Sequence, residues 1–147
     1  FVLISKFFDS KIPSPGNYND TDLILIEKFK EAPQKIYKYI EELKIHDATE
    51  TIFSMIRAIN KYLEEKAPWK TVKEFPNQNE ITATTLYVSI ECIRICTQLL
   101  NPIMPSKTRI VLDAMGVEEA NNNLSYGVIK PQQTINSITT LFPKKDK

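Results

Sequence analysis

Apolar residues recur at helical spacing through most of this chain, and the breaks between them fall at proline and glycine. Five helical segments are predicted. The first spans Phe1 to about Phe8, apolar at Val2, Leu3, Ile4, Phe7 and Phe8, and stops at the breaker cluster Lys11-Ile12-Pro13-Ser14-Pro15-Gly16. The second begins near Asp20 or Thr21 and runs toward Ile45 on Leu23, Ile26, Phe29, Ile36, Tyr37, Ile40 and Leu43. Pro33 inside it lacks an amide and crowds the preceding turn, so it is expected to bend or split this helix. The third opens at Asp47 with Glu50 three residues later, a capping-box spacing, and carries Ile52, Ile56, Ile59 and Leu63 on one face. It ends at Ala67-Pro68-Trp69, because a residue before proline avoids helical dihedrals and the chain must turn there.

The fourth segment, Glu80 to Leu100, is apolar over so wide an arc, through Leu86, Ile90, Ile93, Ile95, Cys96, Leu99 and Leu100, that it belongs at the centre of a bundle. Asn101-Pro102 ends it. Pro105 suits the first turn of a fifth helix, and Met115-Gly116 closes that helix with a glycine fitted to the left-handed position. Beyond Gly116 the pattern changes to a polar linker at Asn121, Asn122 and Asn123, then short Val-, Ile- and Thr-containing pieces broken by Gly127 and Pro131, and a basic end at Lys144, Lys145 and Lys147. No internal repeat or low-complexity tract interrupts the series. The prediction is an all-α fold: an antiparallel helical bundle over 1–116, with an irregular C-terminal extension over 117–147 that wraps the bundle rather than forming a second core.

Composition agrees with that outline and narrows the function. At 147 residues the chain can bury roughly 68–70% of its unfolded surface, enough for a self-sufficient core. It is 42% hydrophobic and 25% charged with only 3 glycines, which fits a soluble helical protein and argues against a strand-and-turn architecture. Nineteen basic residues against 18 acidic ones supply no general pull toward nucleic acid, so any such binding must be local and shaped. The apolar runs are far shorter than the roughly 20 residues that span a bilayer, so the reading is cytoplasmic with no membrane partner. Phe1 stands where an initiator methionine would, inside a helical run, and suggests a sequence that begins part-way through a longer protein.

Catalytic and metal chemistry find no support. His46 is the only histidine and has no nucleophile and orienting group beside it in sequence. Cys92 and Cys96 share one face of an apolar helix, read as buried thiols, and two such ligands do not close a metal site. The pairs Glu41-Glu42, Glu64-Glu65 and Glu118-Glu119 read as solvated helix faces, and three glycines cannot build a phosphate loop. Tyr37, Tyr39, Phe53 and Tyr62 punctuate apolar faces and read as packing. What is left is Trp69, the sole tryptophan, held by Pro68 at a helix exit, which is either a core plug or a stacking platform.

Several motifs in order resemble the C-terminal anticodon-binding domain of methionyl-tRNA synthetases, class I aminoacyl-tRNA synthetases. Ala58-Ile59-Asn60-Lys61-Tyr62 followed by Ala67-Pro68-Trp69-Lys70 is similar to the family's Asn-x-Tyr helix leading to Pro-Trp. Leu99-Leu100-Asn101-Pro102-Ile103-Met104-Pro105 resembles its Leu-x-Pro-x-Met-Pro junction, with Leu112 to Gly116 after it. Leu141-Phe142-Pro143-Lys144 resembles its ending, and Lys6-Phe7-Phe8-Asp9 with Ile12-Pro13 the end of its first helix. The resemblance implies a module that inspects the CAU anticodon of methionine tRNAs, with Trp69 stacking on the first anticodon base, Pro68 fixing its angle, Asn60 offering a donor and an acceptor, and Lys6 and Lys61 as phosphate or base contacts. It implies as well a catalytic domain of the same chain that uses ATP with magnesium to form methionyl-adenylate and charge the tRNA, it leaves zinc in that domain open, and it makes that domain the alternative to the bundle as the surface on which the 117–147 extension packs. An Asn and an Arg that help read the anticodon in the family would fall just upstream of Phe1, so part of the reading head lies outside this sequence.

Two other readings stay open: an anticodon domain of another class I synthetase, such as those for cysteine, isoleucine or valine, and a helical protein-interaction module with no RNA role. The Pro-Trp exit and the Leu-Phe-Pro tail speak against the first. The second predicts a buried Trp69 and a long open apolar groove, whereas RNA reading predicts a partly exposed indole beside Asn60 with lysines within side-chain reach.

Overall fold

The structure, a computed structural model, describes residues 1–74, 79–118, 122–138 and 140–143, with backbone alone at 73 and 74. The basic end at Lys144, Lys145 and Lys147, Asn121 of the linker and Glu119 of an acidic pair lie outside the described residues. Within them the order is α1 (Val2–Phe7), α2 (Asp20–Glu41), α3 (Ile45–Lys66), α4 (Pro68–Glu74), α5 (Asn79–Leu100) and α6 (Pro105–Ala114). The five predicted segments are all present, and α4 is an addition. No strand forms among the described residues; Lys11 and Thr134 make one isolated antiparallel bridge.

Three points differ from the sequence reading, the first being that α2 stops at Glu41 instead of running toward Ile45, with Leu43 in the left-handed region (φ 59°). Helix α2 continues through Pro33, which is buried along with Phe29, Ala32 and Ile36. An interior proline costs roughly 3 kcal/mol, and burying side chains such as Phe29 and Ile36 returns about 1.5–3 kcal/mol each, so packing prevails over the local break. The capping box predicted at Asp47 and Glu50 does not form: α3 starts two residues earlier behind Lys44, which makes no side-chain cap. Asp47 sits in the first turn, where its charge complements the helix dipole, and Glu50 pairs with Arg57. The capping box belongs to α2, where the Asn19 side chain accepts from the Asp22 amide at 3.2 Å and the Asp22 carboxylate accepts from the Asn19 amide at 2.9 Å.

Helix α5 is the axle. It packs on α2, α3, α4 and α6, and it is buried almost all round. One core lies between α2, α3 and α5, on Phe29, Ile36, Met55, Ile59, Val88, Cys92 and Ile95. A second joins Ile4, Ile12, Leu86, Tyr87, Ile90, Leu112 and Met115 to Val117, Ile129 and Ile135 of the irregular C-terminal stretch. Backbone bonds stitch that stretch down, from the Ile12 amide to the Gln133 carbonyl at 2.9 Å and from the Asn136 amide to the Ala114 carbonyl at 2.8 Å. Gly116 (φ +68°) ends α6 as expected, with the Val117 amide on the Leu112 carbonyl at 2.9 Å and the Gly116 amide on the Asp113 carbonyl at 3.0 Å. Tyr62 is buried and Tyr39 half-buried, but Tyr37 and Phe53 are exposed. Each of those two follows a buried isoleucine, Ile36 or Ile52, by one residue, and one residue is about 100° around a helix.

Burial on nearly every side leaves α5 to satisfy most of its own polar groups, Thr82 Oγ1 being buried without a hydrogen-bond partner among the described residues. Thr84, Thr85, Ser89 and Thr97 donate to the carbonyl one turn back, at 2.9, 2.9, 2.7 and 2.7 Å. Glu91 and Arg94, both fully buried, pair at 2.9 Å and together clamp the 123–129 strap. Arg94 donates to the carbonyls of Asn123 and Ser125, and Glu91 accepts from the amides of Gly127, at 3.1 Å, and Ile129. Burial lifts the Cys92 thiol well above its ordinary range and pushes Cys96 up to about 12, so both are inert, protonated core groups. The Arg94→Met substitution strands the Glu91 carboxylate and two carbonyls in the interior. It should lower unfolding free energy by about 3–5 kcal/mol in urea melts, a far larger loss than removal of the exposed Lys30–Glu27 pair, which should change it by less than about 1 kcal/mol.

Candidate nucleic-acid interface

The exit of α3 is built from one residue in an unusual conformation. Ala67 (φ +40°, ψ 55°) is left-handed; its amide donates to the Leu63 carbonyl at 2.9 Å and ends α3. Its own carbonyl accepts from the Lys70 amide at 2.8 Å and the Thr71 amide at 3.2 Å, starting α4. Pro68 follows as the first residue of α4, where a missing amide costs nothing and the fixed φ fits the helix. The sequence places the turn correctly but not its continuation, and Trp69 is thereby carried by a helical turn rather than a loop. Pro68 is buried while Trp69 remains 39% exposed, so the indole is not a core plug.

The base of this junction is tied to the start of α2. The buried Asp22 carboxylate accepts from the Tyr62 hydroxyl at 2.7 Å and from Lys66 Nζ at 2.8 Å, and Lys66 also donates to the Asn19 side chain at 2.8 Å. Lys66 lies over the Tyr62 ring, 5.6 Å from its centroid. Burial works against ionisation of Asp22, but hydrogen bonds from Lys66, the Asn19 amide and Tyr62 outweigh it and hold the carboxyl below its ordinary range. Burial, and then the bond to Asp22, push the Tyr62 phenol up. None of Asn19, Asp22 and Lys66 stood out as a candidate in the sequence; the one available signal was the Asn19-to-Asp22 capping spacing.

The other predicted residues are not all gathered here. Asn60 is exposed on α3, seven residues before Ala67 and so on the same helix face, about 10 Å along it. It edges an open, largely apolar groove of 630 Å³ formed with Phe1, Leu63, Ile93, Leu141 and Phe142. Lys61, one residue on, turns toward α2, pairs with Glu65 at 3.7 Å and lines a separate hollow with Thr21, Lys28 and Tyr62. Lys6 stands exposed on α1 over the Phe7 ring, 5.5 Å from its centroid, and no hydrogen bond or ion pair among the described residues joins it to Trp69 or Asn60. No group of three or more His, Cys, Asp and Glu residues that could hold a metal occurs among the described residues, and no described helix is long and apolar enough to cross a membrane.

The fold is a central buried helix ringed by α2, α3 and α6, with an aromatic at the corner where Pro68 opens α4. It superposes on the apo methionyl-tRNA synthetase of Mycobacterium tuberculosis with a TM-score of 0.91 at 27% identity, covering 99% of this chain and 30% of that one. The same enzyme in complex with methionyl-adenylate gives 0.90 at 28% identity, over 97% of this chain and 29% of that one. The chain belongs to the family of anticodon binding domains of methionyl tRNA ligase, whose model matches residues 12–141. Methionine--tRNA ligases of Metallosphaera sedula (31% identical over 145 residues, 97% of this chain and 25% of the relative) and Caldanaerobacter subterraneus (28% over 148 residues, 99% and 23%) are among its relatives. This chain spans about a quarter of the length of those relatives.

Two outcomes follow from the junction. Ala67→Gly removes the left-handed penalty and should raise unfolding free energy by about 1 kcal/mol in chemical denaturation. The Asp22 carboxyl titrates lower in the folded than in the unfolded chain, so its contribution is complete above about pH 4 and is lost as pH falls through the folded value. Acid titration of thermal stability should therefore show a drop in that window that Asp22→Asn removes.

Proposed function

We propose that this domain inspects the CAU anticodon of methionine tRNAs for a methionyl-tRNA ligase, with Trp69 as the surface on which an anticodon base stacks. The observation that carries the reading is Trp69, 39% exposed at a helix corner directly after the buried Pro68. RNA loops are read by splaying bases onto such faces, while hydrogen bonds to base edges supply sequence. Asn60, exposed on α3 about two turns before its exit, carries both a donor and an acceptor for that second task. Lys61 and Lys6 would serve as phosphate contacts at the flanks. Family membership supports the tRNA partner, and the adenylate held by the M. tuberculosis relative supports ATP use. ATP with magnesium would be used by a catalytic domain of the same chain, in the cytoplasm.

A protein-interaction module would carry two marks, a buried Trp69 and an open apolar groove. The groove is present and the burial is not. Fluorescence of Trp69, the only tryptophan, reports directly on the choice. Titration with a CAU stem-loop at low salt should quench it saturably and more strongly than a scrambled loop does. Trp69→Ala should weaken CAU binding by about 1–3 kcal/mol with far-UV circular dichroism unchanged. No quenching by either loop in a folded sample, or loss of helicity in the variant, would return Trp69 to a structural role.

A further inference from the structure

We propose that Asp22, Tyr62 and Lys66 act as a positioning lock that sets the direction of the Trp69 indole, and that anticodon affinity depends on it; the inference rests on the anticodon reading above. Three observations converge on the α3 exit. First, Lys66 is the last residue of α3, directly before the left-handed Ala67 and three before Trp69, so any movement of its backbone re-aims α4. Second, its side chain is 13% exposed, its ammonium held at 2.8 Å by Asp22 and at 2.8 Å by Asn19 and laid over the Tyr62 ring, unlike the open Lys61 at 77%. A surface lysine has no need of three partners; one that fixes a helix end against its neighbour does. Third, Asp22 spends its second oxygen on the Asn19 amide in the α2 capping box, so the same carboxylate terminates α2 and grips α3.

The consequence is a chain of rigid parts. The start of α2 is fixed by its cap, the cap holds Asp22, Asp22 holds Tyr62 and Lys66, and Ala67 and Pro68 transmit that position to Trp69 within one turn of backbone. A stacking surface gains affinity from being ordered before its partner arrives, because the ordering cost is then met by folding and not by binding. The three residues touch no RNA in this scheme and act only through the indole.

Time-resolved fluorescence anisotropy of Trp69 in the RNA-free chain separates this from a merely structural role, with far-UV circular dichroism and CAU and scrambled stem-loop titrations alongside. Tyr62→Phe, which deletes one hydroxyl, and Lys66→Met should keep the helical spectrum, increase the amplitude of fast indole depolarisation, and weaken CAU binding about fivefold to tenfold, while Lys66→Arg restores both readouts. Unchanged depolarisation in a folded Tyr62→Phe chain overturns the lock, as does faster depolarisation with unaltered CAU affinity. If Lys66→Met does not fold, the Tyr62→Phe result stands alone as the decision. A parent chain that never distinguishes CAU from scrambled loops sinks the anticodon reading and the dependence on affinity, while the depolarisation data still decide whether the three residues hold the indole.

Discussion

A helix with almost no free face must satisfy most of its polar groups inside the protein, and that condition on α5 organises much of the chain. Among its buried hydroxyls, Thr84, Thr85, Ser89 and Thr97 bond back onto the helix itself, which hides them within an otherwise apolar cylinder. Glu91 and Arg94 cannot do that alone. Their pair is satisfied by backbone from the strap at 123–129, so the irregular C-terminal segment is required by the charge of the central helix as well as by its own apolar residues. Tyr87 reaches the same strap, donating to the Ile129 carbonyl at 3.0 Å, and Tyr126 packs edge-on to Tyr87 and Tyr18.

At the candidate interface that packing is joined by polar bonds. Helices α2 and α3 pack on α5, and at the α3 exit the core residue Tyr62 is also part of a polar cluster with Asn19, Asp22 and Lys66. A polar clamp is directional where an apolar contact is not, and direction is what a stacking face needs. Ala67 adds a second constraint, since a non-glycine residue in the left-handed region persists only where its neighbours over-determine it. The proline after it then removes the remaining freedom.

The helices and their order were legible because apolar periodicity is local: Ile52, Ile56, Ile59 and Leu63 announce α3 without reference to anything else. Boundaries were less so. Asp47 and Glu50 have the spacing of a capping box but not its geometry, while Asn19 and Asp22 have both, and only the backbone at the helix start distinguishes the two. Pro33 is a breaker by local rules and an interior helical residue in fact, since the core that holds Phe29 and Ile36 lies outside any short window. The α4 turn went unread because Pro68 signals an end and a beginning equally well.

By itself, the sequence determined an all-α chain, the central place of the Glu80–Leu100 segment, the chain reversal at Ala67-Pro68 and the isolation of Trp69 behind it, because propensity, periodicity and proline geometry act within a few residues. Tertiary structure decided how exposed that indole is, that Asn60 and Lys61 open onto different hollows, and that a buried carboxylate on α2 grips the end of α3. Those facts join residues far apart in the chain, Asp22 and Tyr62 among them. Their energies exist only once two helices have been brought antiparallel, and a linear pattern carries no record of which polar atoms will then face one another.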